Sequence, residues 1–217
     1  MVLPISPRQK LSKACDDHYA VNEKENEIMR VMLTSCGIET DAIKERFLQM
    51  LGKEPANATA LFIPTAAIDA DAIAVLPECM NDLLKCGILN ENIRVFDLHC
   101  NMPLTELLTY DVVYLCGGRT AYLLERINDS GFRASLLAYI ANNGLVLGVS
   151  AGSVIFAGNL PGNLGLLDAE LSVHCKETSL LGKVSLPLQG KVELSNTAAM
   201  LITALPDGIE VIDEENL

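Results

Sequence analysis

The 217-residue chain has no CxxC pair, no apolar run that reaches the roughly 18 residues needed to span a bilayer, and no cluster of lysine and arginine. Each absence closes a class. Seven cysteines, an odd number scattered from Cys15 to Cys175 without paired spacing, exclude a zinc ribbon or a disulfide frame. They read as free thiols in a reducing, cytoplasmic setting. Without a long apolar run or an opening hydrophobic segment, no membrane partner is expected. Sixteen Lys and Arg stand against 28 Asp and Glu, a formal charge of -12, so no basic patch is present to displace the counterions of a nucleic acid. Internal repeats and low-complexity tracts are absent as well.

Half the residues are hydrophobic and 20% are charged, which suits one globular domain that buries roughly 70% of the surface its unfolded chain exposes. The first thirty residues differ. "KACDDHYAVNEKENEIMR" is polar and without a steady apolar period, so residues 1–30 read as an extension and 31–217 as a single α/β domain. Short apolar runs at 31–36, 60–66, 93–99, 111–118 and 145–150 alternate with stretches of helical spacing at 40–52, 71–87, 120–131 and 132–144. That alternation predicts a mainly parallel sheet with helices on both faces. After His174 the pieces "KVSLPL", "KVELS", "AMLITA" and "GIEVID" are shorter and set off by Gly and Pro, which predicts antiparallel strands or a hairpin near the C-terminus.

Ligands of parallel sheets sit beyond the carboxyl ends of the strands. Two turns fall there. "GVSAGS" fits G-x-S-x-G with Gly148, Ser150 and Gly152, the pattern of a sharp strand-to-helix turn that exposes a serine and tolerates no bulk two residues to either side. Ser150 is therefore the candidate nucleophile, beside the backbone N–H groups that open the next helix. "CGGRT" supplies Gly117 and Gly118, whose N–H groups are candidates for a second oxyanion donor because glycine lets the backbone approach a substrate closely.

A nucleophilic serine needs a base, and the chain has three histidines. His18 falls in the polar extension. His99 ends the "IRVFDLH" run on the correct rim, and His174 follows Ser150 by 24 positions, so both remain candidates on residue type and place. The carboxylates between Ser150 and His174 are Asp168 and Glu170. An extended offset of six or four residues sets them roughly 13 to 20 Å from the histidine, too far to orient its ring.

The segments "LFIPTAA", "VVYLCGGRTAYLLERI", "GVSAGSVIF" and "LGLLDAELSVH", in this order, resemble the aspartyl dipeptidase (dipeptidase E) and cyanophycinase family of serine peptidases, over about Val31 to Asp213. The resemblance implies a three-layer α/β sandwich with a mainly parallel central sheet, flavodoxin-like and related to class I glutamine amidotransferases. It implies Ser150 as nucleophile, His174 as base, and the Gly118 and Ala151 N–H groups, with Gly117 beside them, as oxyanion hole.

Three departures from the family pattern shape the expectations. The loop after the elbow, "VIFAGNLPGN", carries no carboxylate, so the orienting acid is expected to be absent, with a backbone carbonyl or Asn159 in its place. No arginine follows Arg133, and Arg119 stands where the family has asparagine, which leaves Arg119 with Thr120, Lys176 or Lys183 to meet the substrate. The function expected is a serine hydrolase of small peptides or related amides that needs no metal or organic cofactor. A homodimer is left open. The alternative is a degenerate family member that binds a small molecule or partner protein.

Overall fold

A parallel strand covered on both faces by crossover helices has to be apolar throughout, and the strands of this chain follow that rule. The structure, a computed structural model, describes residues 28–188 and 190–214. The expected extension therefore lies outside the described residues as far as position 27. Arg30 already belongs to the first strand, one residue before Val31. The strands are β1 (Arg30–Thr34), β2 (Ala60–Ile63), β3 (Ile93–Val95), β4 (Val112–Leu115), β5 (Leu145–Val149), β6 (Glu170–Cys175), β7 (Gly182–Val184), β8 (Lys191–Ser195), β9 (Ala198–Ala204) and β10 (Gly208–Asp213).

Eight of them form one sheet in the order β3-β2-β4-β5-β1-β9-β10-β7. The first five run parallel, and β9, β10 and β7 continue the sheet antiparallel. β6 and β8 form a separate parallel pair. The mainly parallel sheet and the C-terminal antiparallel strands expected from the sequence are both present.

The helices are α1 (Asp41–Leu51), α2 (Ala70–Ala74), α3 (Leu76–Lys85), α4 (Leu104–Leu107), α5 (Thr120–Asp129), α6 (Phe132–Ala141) and α7 (Ala151–Val154). Alternate strand residues feed two cores. Val31, Leu33, Leu61, Val113 and Val146 pack with Leu123 and Ile127 of α5 and Leu136 of α6. Met32, Phe62, Tyr114 and Leu147 pack on the other face with Ile43 and Phe47 of α1 and Leu83 of α3. The period of two along each strand thus becomes two helical layers around one sheet. α1 shows how a helix reaches its layer. The Thr40 hydroxyl accepts the Ile43 N–H at the start, Gly52 (φ 67°) closes the end, and Ile43, Phe47 and Leu51 recur every fourth residue on the buried face.

Two expected elements are altered. The stretch 71–87 is two helices, because Pro77 in the first turn of α3 has no N–H to extend the α2 ladder and restricts the residue before it. The run 93–99 is a strand only to Val95, and His99 lies in the turn that follows.

Candidate functional site

The carboxyl end of β5 runs directly into α7, and Ser150 occupies the junction with φ 50° and ψ -110°. A non-glycine residue in that conformation costs on the order of 1–3 kcal/mol and persists only where its surroundings hold it. They do. The Ser150 N–H donates to Thr34 C=O at 2.9 Å. A Cβ on Gly148 would come within 2.4 Å of Gly152 C=O, and one on Gly152 within 2.2 Å of Leu115 C=O, so both glycines of the motif are required by contact. Ser153, fully buried, fastens the start of α7 to the sheet. Its Oγ accepts the Thr34 N–H at 3.0 Å and donates to Gly148 C=O at 2.7 Å.

The turn after β4 lies alongside. A Cβ on Gly117 would sit 3.1 Å from Ser150 Cβ. Gly118 has φ 135°, and a side chain there would run into Ala66 C=O at 2.1 Å, the same oxygen that accepts the Arg119 N–H at 2.8 Å. The Gly118 N–H donates no hydrogen bond among the described residues. Ala151 is the first residue of α7, where an N–H has no partner within the helix. Arg119 is exposed, and its guanidinium donates to Asp69 at 2.9 Å. Thr120 begins α5.

Of the two histidines left open on residue type and place, the structure brings His174 to the serine. Its Nε2 lies 2.9 Å from Ser150 Oγ. His99 instead follows the edge strand β3, three strand spacings or roughly 14 Å across the sheet from β5, and pairs with its neighbour Asp97 at 3.1 Å. His174 reaches its place through an irregularity. The pairing of β6 with β8 shifts register between Ser172 and Cys175, and His174 takes φ 57° within that shift. Such a bulge re-aims a side chain. The His174 N–H is fixed by Ser35 Oγ at 3.2 Å, and Ser35 in turn donates to Leu194 C=O of β8 at 3.0 Å.

The far ring nitrogen faces groups that the sequence reading missed. His174 Nδ1 lies 3.2 Å from Asn196 Oδ1 and 3.4 Å from Cys36 Sγ. Burial, with a further contribution from Glu39, pushes the Cys36 thiol up to about 11, so it stays protonated at neutral pH. Asn159, expected behind the ring, is engaged elsewhere. It accepts the Leu171 N–H and donates to Leu171 C=O, each at 2.9 Å, which clamps the start of β6 to the loop after α7. Asp168 caps the Leu188 N–H at 3.1 Å, so it is not the orienting acid either. A concavity of about 600 Å³ lies nearby, between that loop and Leu186, Pro187 and Leu205, and is lined by neither Ser150 nor His174. One clue to Asn196 and Cys36 is available without a structure. Both sit within two residues of the end of a strand, Cys36 in "LTSC" at the end of β1 and Asn196 in "LSNT" at the end of β8.

A serine held in a strained strand-to-helix turn at the rim of a parallel sheet, with a histidine on its hydroxyl, is an arrangement of hydrolytic enzymes. The model of peptidase family S51 matches residues 31–163, and the chain belongs to that family. Over 102 residues it is 30% identical to the uncharacterised peptidase Lmo0363 of Listeria monocytogenes EGD-e, a match covering 47% of this chain and 50% of that one. The uncharacterised peptidase Lin0382 of Listeria innocua is 29% identical over 102 residues, 47% and 49% of the two chains. The chain thus spans about half the length of the curated relatives it matches.

Among solved structures, a protein described as a peptidase E from Listeria monocytogenes EGD-e superposes with a TM-score of 0.65 at 21% identity, over 86% of this chain and 98% of that one. A peptidase from an acI-B1 actinobacterium gives 0.59 at 14% identity, over 87% and 89%. These two support the fold.

Proposed function

We propose that the chain is a serine hydrolase that cleaves small peptides or related amides. His174 takes the Ser150 proton, the hydroxyl oxygen attacks the carbonyl carbon, and the Gly118 and Ala151 N–H groups stabilise the resulting oxyanion. His174 then gives its proton to the leaving amine, and water repeats the sequence on the acyl-enzyme. The observation that carries this reading is the 2.9 Å approach of His174 Nε2 to a Ser150 held at positive φ. Family membership supports it, since the family is one of peptidases. The six described cysteines are free thiols, which fits a cytoplasmic setting.

A second reading, binding of a small molecule or partner without turnover, draws on one feature. Among the described residues, the ring nitrogen opposite the serine faces an amide and a thiol, and no carboxylate contacts it to compensate a forming imidazolium. A fluorophosphonate probe separates the two. Covalent labelling of the purified chain, lost in Ser150→Ala, is the result expected of a hydrolase. A folded wild type left unlabelled at millimolar probe overturns that reading in favour of binding.

A further inference from the structure

A histidine that accepts a proton at Nε2 must carry its own hydrogen on Nδ1, and that hydrogen needs an acceptor to fix both tautomer and ring angle. Two groups are in reach, and they are unequal. An amide oxygen is a full acceptor, whereas a protonated thiol sulfur is a weak one. Asn196 Oδ1 is also the nearer, at 3.2 Å against 3.4 Å.

Asn196 is exposed in the turn between β8 and β9, and a lone exposed amide would wander. Its two neighbours are tied down. Ser195 Oγ donates to Asp213 at 2.9 Å and Thr197 Oγ1 donates to the other oxygen of the same carboxylate at 2.7 Å. Thr178 adds a third hydroxyl to Asp213 and accepts the Ser195 N–H at 3.1 Å. Asp213 is 3% exposed at the end of β10, in register with Ala198 at the start of β9. A buried carboxylate satisfied by several donors is a rigid anchor, because releasing any one of them leaves a charge short of partners.

We propose that Asn196 positions His174 by accepting its Nδ1–H, and that Asp213 holds Asn196 in place through the hydroxyls of Ser195 and Thr197. The acid missing from the loop after the elbow is thus present one step further back, where it orders the turn and does not touch the ring. The proposal rests on the hydrolase reading for its catalytic meaning but not for its geometry.

Two measurements on the full-length chain test it. The first is the ring ¹⁵N spectrum of His174. The Nδ1–H tautomer is expected in the wild type and in Cys36→Ala, with a mixture in Asn196→Ala and recovery in Asn196→Asp. The second is the fluorophosphonate labelling rate, expected to fall at least tenfold in Asn196→Ala and to return to within threefold of wild type in Asn196→Asp. The double variant Ser195→Ala/Thr197→Val should reproduce part of both losses while still melting cooperatively. Should it not fold, Thr197→Val alone is read in the same way. An Nε2–H tautomer in the wild type, or an unchanged tautomer and rate in Asn196→Ala, overturns the role of Asn196. A folded Ser195/Thr197 variant that behaves as wild type overturns that of Asp213. An unlabelled wild type with the expected tautomer changes would sink the hydrolase reading and leave the positioning intact.

Discussion

The segment through residue 163 and the segment after it build their shares of the site by different means. In the first, Ser150 and the Gly117–Gly118 turn follow directly from β5 and β4, and the position of each is set by backbone packed against backbone. In the second, His174, Asn196 and Asp213 stand on three different strands or strand ends and meet through side-chain hydrogen bonds. The family model ends at residue 163 and so covers the serine but not the histidine. A turn specified by close contact admits few solutions, whereas a base can be held by many combinations of hydroxyl and amide. The orienting group is therefore the part of such a site most open to replacement.

The largest expected effect breaks that contrast directly. Gly152→Ala forces a methyl into Leu115 C=O, so urea melts should show a loss of roughly 3 kcal/mol or more, the range of severe strain and overpacking. In the second segment, Gly182 has positive φ, at 79°, but open space around it. Gly182→Ala should cost only about 1 kcal/mol. Equal losses would show that backbone contact is not what separates the segments.

A second, intermediate effect sharpens the comparison on the face opposite α5 and α6. Asp82 on α3 accepts the Tyr114 hydroxyl at 2.7 Å beneath the Gly37 turn, and burial pushes its carboxyl from 3.8 up to about 6. A folded pKa above the unfolded one means that the native state holds the proton more tightly. The associated stability is full below pH of about 4 and is lost as pH rises through about 6. Asp82→Asn removes that dependence. It should gain roughly 1–3 kcal/mol relative to wild type near pH 7.5 and little near pH 4. Chemical denaturation at the two pH values checks this, and an equal change at both would place the cause in packing instead of titration.

The smallest effect concerns Arg119. Its pair with Asp69 is more than half exposed on both sides, so Arg119→Ala should change stability by roughly 0–1 kcal/mol. If Arg119 meets the substrate, as the sequence suggested, hydrolysis of an anionic peptide should still weaken while fluorophosphonate labelling stays within twofold. A loss in neither assay would remove it from the substrate site.

Much of the fold was legible because it depends on local pattern. Short apolar runs between helical stretches are what a doubly covered parallel sheet requires; β2, β4 and β5 fall within those runs, and β1 overlaps its own from one residue before it. The split of α2 from α3 at Pro77 was equally local, and the signal was there to be weighed. Ser150 was legible for the same reason, since the strained turn dictates glycine at 148 and 152 whatever surrounds it. The choice between His99 and His174 was not, because residue type and strand end are alike for both. The strand order, with β3 at the edge and β5 near the centre, separates them.

Sequence alone thus determined the alternation of elements, the elbow and its serine, because each is a matter of short-range sterics. Tertiary structure decided which groups stand behind His174. Asn159 and Asn196 carry the same amide, and nothing within a few residues of either says which will face the ring. The register shift in β6 aims the histidine, and the buried Asp213 fixes the turn that presents Asn196. Both arise only when strands distant in the chain are paired.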